Sequence, residues 1–129
     1  MQIKFVSVMV ADQAHALDFY TKVLGFEKMA DIPMGEHRWL TVTSPEGMEG
    51  VELVLEPMAF PPARVYQKAL FDAGIAATAF TTKDIAAEFD RLRKLGVKFR
   101  TEPTEAGPIT GAQFEDTCGN LIYLVQPKA

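Results

Sequence analysis

The chain has 129 residues and a formal net charge of −4 at pH 7, with 48% hydrophobic and 23% charged residues. This size and composition are typical of one globular domain with its own core. The negative charge, with no run of Lys and Arg, argues against nucleic acid or an anionic membrane as partner. The uncharged stretch 73–82 is far shorter than the roughly 18 apolar residues of a membrane span. A single cysteine, Cys118, favours a reducing compartment, so we expect a cytoplasmic protein.

The first half of the chain predicts the order β-α-β-β-β. Its helix carries an apolar stripe at helical spacing, made of Ala16, Leu17, Phe19, Tyr20, Val23 and Leu24. Asp12 is the expected N-cap, and Gly25 is placed where a left-handed cap would end the helix. The strands are predicted at 3–10, 26–30, 37–43 and 51–55, with turns at 31–35 and 44–47.

A connector is predicted at 58–74. Three prolines fall within 57–62, and residues 64–73 have apolar positions at helical spacing, so we expect a short linking helix that ends at Gly74.

The second half repeats the first. A strand at 76–82, an N-cap at Asp84, a helix that stops at Gly96, and extended segments at 98–101, 110–114 and 121–125 are expected, with a loop at 102–108. Asp12 and Asp84 are 72 residues apart, Gly25 and Gly96 are 71 apart, and Pro57 and Pro127 are 70 apart. This period is too long for a solenoid, so we interpret the chain as two fused copies of one module, at about 1–57 and 75–127.

Each copy has one helix, which can cover only one face of a four-stranded sheet. We therefore expect the uncovered strand faces to line a concave, mostly apolar cup, which is the usual form of a small-molecule site. The predicted fold class is α+β, with two tandem βαβββ modules.

The segments 10–12 and 19–26, together with the second-copy positions Phe80, Asp84, Gly96, Asp116 and Asn120, resemble the vicinal oxygen chelate superfamily. That superfamily includes glyoxalase I, bleomycin-resistance proteins and extradiol dioxygenases. The resemblance covers nearly the whole chain. It implies paired βαβββ modules, commonly assembled as a homodimer, with a cupped site for a small molecule.

In metal-using members of this superfamily, ligands come from the first and last strand of each module. The resemblance places these positions at Phe5, Glu52, Ala77 and Tyr123. Phe and Ala have no donor atom and Tyr is a poor one, so Glu52 alone is a competent ligand. The sequence therefore predicts no family metal site and no cofactor, although a weakly held divalent metal remains possible.

Glu52 and His37 are the titratable candidates. Glu52 shares a strand face with Val54 and Glu56, and a partly desolvated carboxylate there would have a raised pKa and could act as a base. The alternative is an ordinary surface charge. His37 has the strand parity of Trp39 and could touch a ligand or transfer protons; otherwise it is a solvent-exposed residue at the strand edge.

Aromatic side chains on the predicted strands offer a lining that could stack on a flat ligand, although strand aromatics more often fill a core. The predicted ligand-binding set is Phe5, His37, Trp39, Glu52, Phe114 and Tyr123. Three functions are open, the last being an accessory or interaction module with no retained pocket chemistry. The first is a bleomycin-resistance-like protein that binds a small organic molecule without metal. The second is a lyase, isomerase or dioxygenase-type enzyme acting on a small oxygenated metabolite, with Glu52 as base and a divalent metal as an option.

Overall fold

A computed structural model describes residues 1–128. The chain divides into two compact units, one formed by Met1–Val65 and one that begins at Tyr66, and each contains a four-stranded mixed sheet. The first unit has β1 (Phe5–Val10), α1 (Gln13–Asp18), a π-helical turn (Phe19–Val23), β2 (Glu27–Met34), β3 (His37–Thr43) and β4 (Glu52–Pro57). Helix α2 (Pro61–Asp72) spans the division. The second unit has β5 (Thr78–Thr81), α3 (Ile85–Lys94), β6 (Thr104–Ala106), β7 (Ile109–Glu115) and β8 (Leu121–Pro127).

The two sheets have the same topology. The strand order is β1-β4-β3-β2 in the first sheet and β5-β8-β7-β6 in the second. In each, the first and last strands of the module pair in parallel and the remaining neighbours are antiparallel. The predicted α+β class and the two tandem βαβββ modules are confirmed.

Equivalent residues begin and end the two module helices. One carboxylate oxygen of Asp12 accepts the N–H of His15 at 3.0 Å, and Asp84 accepts the N–H of Ala87 at the same distance. Gly25 and Gly96 both lie just past the helix with φ near +90°, at +88° and +89°. Only glycine adopts this backbone conformation without strain, so the same signal stops both helices.

The first helix is less regular than the sequence predicts. Instead of one α-helix to Leu24, α1 passes into a π-helical turn, in which the N–H of Leu24 donates to the carbonyl of Phe19 at 3.1 Å. The hydroxyl of Thr21 donates to the carbonyl of Leu17 at 2.6 Å within this turn. Such a bond competes with the helix ladder and favours a local widening of the helix.

The predicted turn at 31–35 is wrong. Strand β2 continues to Met34, which pairs with His37, and only a two-residue turn separates it from β3. Pro33 fits inside the strand because β2 is at the edge of the sheet, where a missing N–H is tolerated. The guanidinium of Arg38 on β3 also binds the carboxylate of Asp31 through two hydrogen bonds, at 2.9 and 2.8 Å.

Two more boundaries differ from the prediction. The expected loop at 102–108 contains β6, whose Ala106 pairs with Ile109 across a tight turn, while the expected strand at 98–101 makes only an isolated bridge at Phe99. Helix α2 starts at Pro61, inside the stretch assigned to the connector. Proline is favoured in the first turn of a helix, because the N–H it lacks would have no partner there.

In each unit, apolar residues of the sheet are buried on the same side as those of the module helix. The first core contains Val8, Val10, Ala16, Tyr20, Leu40 and Leu55, and the second contains Ile85, Leu92, Phe114, Ile122 and Leu124. The opposite face of the first sheet carries exposed and half-buried side chains such as Phe5 and Trp39, together with the buried Thr41, Glu52 and Val54. Within the described part of the chain, no helix is both long and apolar enough to span a membrane.

Candidate functional site

The face of the first sheet that points away from α1 is called the open face here. Residues Phe5 and Ser7 of β1 lie opposite Glu52 and Val54 of β4, and Val54 lies opposite Thr41 of β3, so these five share one face. By the same alternation the face includes His37, Trp39, Thr43 and Glu56. Its polar and aromatic members are therefore Phe5, Ser7, His37, Trp39, Thr41, Thr43, Glu52 and Glu56. The predicted alternation of β4 is confirmed.

Two aromatic rings meet on the open face. Phe5 from β1 and Trp39 from β3 pack edge to face, with ring centroids 5.3 Å apart and planes at 77°. Both strands are neighbours of β4 in the sheet. Phe5 keeps 48% of its surface exposed and Trp39 is half-buried, so the pair offers aromatic surface to a ligand.

Glu52 lies opposite Phe5 in the parallel pairing of β1 and β4 and is 8% exposed. The hydroxyl of Thr41 donates to one carboxylate oxygen at 2.6 Å, and the ammonium of Lys4 lies 3.3 Å from the other. The Thr41 oxygen in turn accepts the N–H of Ala30 at 3.1 Å, which fixes the hydroxyl between β2 and β4.

The pKa of Glu52 is lowered, and the expected rise is wrong. The hydrogen bond from Thr41 stabilises the ionised carboxylate most strongly, burial opposes this, and the ammonium of Lys4 adds further stabilisation. The sequence argument counted burial alone. A carboxylate with a lowered pKa is a weaker base, so the geometry suits a fixed anion better than a proton acceptor.

Lys4 was not anticipated. It precedes β1, and its ammonium lies 3.3 Å from the carbonyl oxygen of Gly50 as well as beside Glu52. It is also 5.4 Å from the centroid of the Phe5 ring. The sequence signal for this contact is the position of Lys4 next to Phe5. That position brings Lys4 close to Glu52 on β4 only once the parallel pairing of β1 and β4 is known.

His37 lies at the end of the sheet, at the start of β3. It lines a hollow of about 340 Å³ with Gln13, Arg38, Met58 and Arg64, next to the start of α1. The histidine is half-buried, and it is distant from the carboxylate of Glu52 along the strand direction, since it lies four positions before Thr41 in β3. The structure therefore groups Phe5, Trp39 and Glu52 closely and puts His37 at the margin.

Gln13 is a buried polar residue that sequence reasoning missed. Its side-chain amide donates to the carbonyls of Arg38 and Leu55, at 2.7 and 2.9 Å, and its oxygen accepts the N–H of Arg38 at 3.0 Å. The carboxamide thus pairs both backbone groups of Arg38 as a neighbouring peptide would. It thus joins α1 to β3 and β4, the two strands that carry Trp39 and Glu52.

In the second unit, the two predicted aromatic residues are on opposite faces of the sheet. Tyr123 pairs with Gln113, while Phe114 pairs with Ile122. Phe114 is 1% exposed, and its ring packs 5.5 Å from that of Phe99 in the core. The prediction that Phe114 lines a ligand site is therefore corrected, because its ring is enclosed on the helix side of the sheet.

Tyr123 remains half-buried on the other face. Its phenol ring lies directly over Gly111, so closely that a Cβ at position 111 would overlap it. Opposite Tyr123 on β5 is Ala79, and not the expected Ala77, which lies before the strand. The repeat offset therefore misplaces this partner by two residues.

These positions do not fit the family metal. Phe5 and the two alanines have no donor atom, and both oxygens of Glu52 already have partners in Thr41 and Lys4. Among residues 1–128, no three His, Cys, Asp or Glu side chains come together in a way that could hold a metal ion.

Comparison with known proteins places the chain in a family. The model of the Glyoxalase/Bleomycin resistance protein/Dioxygenase superfamily matches residues 2–124. The chain belongs to this superfamily. The uncharacterised superfamily relative YurT of Bacillus subtilis (strain 168) is 52% identical over 126 residues, which cover 98% of this chain and 99% of YurT.

Two solved structures are also similar to this chain of the glyoxalase superfamily. UcmS2 is 32% identical with a TM-score of 0.81, and the match covers 97% of each chain. TnmS3, an antibiotic binding protein from Streptomyces sp. CB03234, is 30% identical with a TM-score of 0.77, and the match covers 99% of this chain and 97% of TnmS3.

Proposed function

We propose that this protein binds a flat aromatic small molecule on the open face of its first sheet, without the metal of the glyoxalase superfamily. The observation that carries the proposal is the half-exposed pair of Phe5 and Trp39 beside the fixed carboxylate of Glu52. Because the two rings are nearly perpendicular, a flat ligand can stack on one of them and meet the edge of the other, and the buried charge beside them supplies orientation.

The similarity to TnmS3 supports a binding role, because that protein is an antibiotic binding protein and the match covers almost all of both chains. The alternative, an enzyme in which Glu52 acts as a base, has less support. The bond from Thr41 and the ammonium of Lys4 lower the pKa of Glu52, which weakens it as a base.

The test uses Trp39, which is the single tryptophan of the sequence. Purified protein is titrated with three neutral planar compounds, acridone, anthraquinone and flavone, and binding is followed by quenching of Trp39 fluorescence and by calorimetry. We expect saturable binding of at least one. Phe5→Ala should weaken that binding about tenfold, or about 1.4 kcal/mol, because one wall of the aromatic pair is lost.

Phe60→Ala is the matched control. Phe60 is 67% exposed between β4 and α2, and its removal should leave the dissociation constant unchanged. The proposal fails if neither these three compounds nor charged planar compounds of similar size bind saturably, or if Phe5→Ala and Phe60→Ala have equal effects.

We further propose a homodimer in the cytoplasm, which rests on the family resemblance and on the single cysteine. Sedimentation equilibrium measures the assembly directly. A mass of one chain at micromolar concentration would contradict the dimer.

A further inference from the structure

The ammonium of Lys4 has three acceptors around it. It lies 3.3 Å from the carbonyl oxygen of Gly50, 3.3 Å from a carboxylate oxygen of Glu52, and 5.4 Å from the centre of the Phe5 ring. A carboxylate, a carbonyl and an aromatic face are the groups that bind an ammonium ion in proteins. The chain therefore contains a built cation site whose present occupant is its own lysine.

The carboxylate of this site is held in place and nearly buried, whereas the lysine is half-exposed. The side chain of Glu52 is only 10% exposed and is held by the 2.6 Å bond from Thr41, whose oxygen also accepts the N–H of Ala30. The side chain of Lys4 is 52% exposed and precedes the strand. An ion pair with one flexible, half-exposed partner is weak, so another cation can displace the lysine at small cost.

The charge of the open face agrees with a cationic ligand. Glu56 is a second carboxylate on this face, and the hydroxyl of Ser7 donates to it at 3.3 Å. An anionic ligand bound against the Phe5–Trp39 pair would be repelled by both carboxylates, while a cationic ligand would replace the charge of Lys4 and leave Glu52 paired.

We propose that the site selects flat nitrogen heterocycles that are cationic at pH 7, whose protonated ring nitrogen displaces the Lys4 ammonium from Glu52 and Gly50 while the ring system stacks on one ring of the Phe5–Trp39 pair and meets the edge of the other. This rests on the proposed function, since it names the ligand class of the same face. Lys4 is a specificity-determining residue in this scheme, because it competes with the cation of the ligand.

The test compares planar three-ring compounds of different charge. Proflavine is cationic at pH 7, acridone is neutral and acridine-9-carboxylate is anionic. In Lys4→Met, which keeps a long side chain and removes its charge, we expect proflavine to bind about tenfold more tightly than to the wild type. The affinity for acridone should change by less than about twofold, because a neutral ring leaves the cation site unused. Lys28→Met, a lysine paired with Asp31, is the matched control and should change neither value.

Glu52→Gln supplies the second arm. The glutamine can still accept the hydroxyl of Thr41, so the fold is kept, and the preference for proflavine over acridone should disappear. If Glu52→Gln does not fold, the salt dependence of proflavine binding to Lys4→Met takes its place, and that binding should weaken as sodium chloride is raised.

The outcomes separate the two proposals. If acridone binds and Lys4→Met leaves the ratio of proflavine to acridone affinity unchanged, the inference is overturned and the proposed function stands. Tighter binding of acridine-9-carboxylate than of proflavine by the wild type, together with its loss in Lys4→Met, would also overturn it, because Lys4 would then be an anchor for anions. If no planar compound of any charge binds, the proposed function itself fails.

Discussion

Replacement of Thr41 by valine tests whether Glu52 is held as an anion. Valine has the shape of threonine without the hydroxyl, so Thr41→Val removes the 2.6 Å bond to Glu52 and the acceptor for the N–H of Ala30. Thr41 is fully buried and Glu52 nearly so, so water cannot easily replace either bond. The carboxylate would keep only Lys4 as a partner.

The expected cost follows from these two bonds. A hydrogen bond to a charged group contributes about 1.5–3 kcal/mol and a neutral one about 1 kcal/mol, so we expect a loss of about 3 kcal/mol at pH 7. For a domain of this size, that corresponds to a fall in Tm of roughly 10 °C. Urea unfolding followed by Trp39 fluorescence measures the loss.

The pH dependence of the free energy of unfolding is the sharper test. The folded pKa of Glu52 is lowered, so its stabilisation is present above the ordinary glutamate pKa, about 4.3, and is lost as the pH falls through the folded pKa. As the pH falls from 7 through the folded pKa of Glu52, the wild type should therefore lose more stability than Thr41→Val. The difference in free energy of unfolding between the wild type and Thr41→Val should then narrow to about 1 kcal/mol, which is the contribution of the hydrogen bond from the N–H of Ala30.

Thr43→Val is the matched control, since the hydroxyl of Thr43 donates to the neutral carbonyl of Val51 at 3.2 Å from the same strand. It should cost about 1 kcal/mol or less at any pH. The reasoning is refuted if the gap between the wild type and Thr41→Val is the same at pH 7 and pH 3, or if Thr43→Val costs as much as Thr41→Val.

Two further predictions concern packing. Gln13→Ala should cost about 2–3 kcal/mol in urea unfolding, because the carbonyl and N–H of Arg38 lose their partners, whereas the exposed change Asp18→Ala should cost under about 0.5 kcal/mol; equal costs would contradict this role. Gly111→Ala should cost about 2 kcal/mol in the wild type and much less in the Tyr123→Ala background, because the added methyl overlaps the phenol ring only when the ring is present. Additive costs would show that the glycine matters for another reason.

The sequence predicted the fold well, because its strongest signals are local and occur twice. An aspartate cap and a glycine stop flank each module helix, and the structure uses Asp12, Asp84, Gly25 and Gly96 as predicted. Where the prediction failed, tertiary context decided. Pro33 marks a turn in isolation but is accommodated on an edge strand, which only the sheet order reveals.

The site was predicted less completely. Strand alternation predicted which residues of one strand share a face, such as Glu52 with Val54 and Glu56, but only the pairing of the strands puts Phe5 and Trp39 on that same face. The partners of the carboxylate could not be found in this way, because Lys4 reaches Glu52 across a parallel pairing that is remote in sequence. The direction of the pKa shift depends on those partners, so a sequence argument based on burial alone gave the wrong sign.

The two modules share a topology but not the chemistry of their sheet faces. In the first module, the parallel partner of Glu52 is Phe5, whose ring stays half-exposed beside a charged group. In the second, the equivalent partner of Tyr123 is Ala79, and the phenol ring lies flat on Gly111. The second sheet thus covers that part of its face with its own side chain, while the first leaves aromatic surface and a fixed carboxylate available. A ligand gains binding free energy only by covering surface that is exposed before it binds. Substitutions on the open face of the first module should therefore alter ligand binding, whereas substitutions around Tyr123 should alter stability.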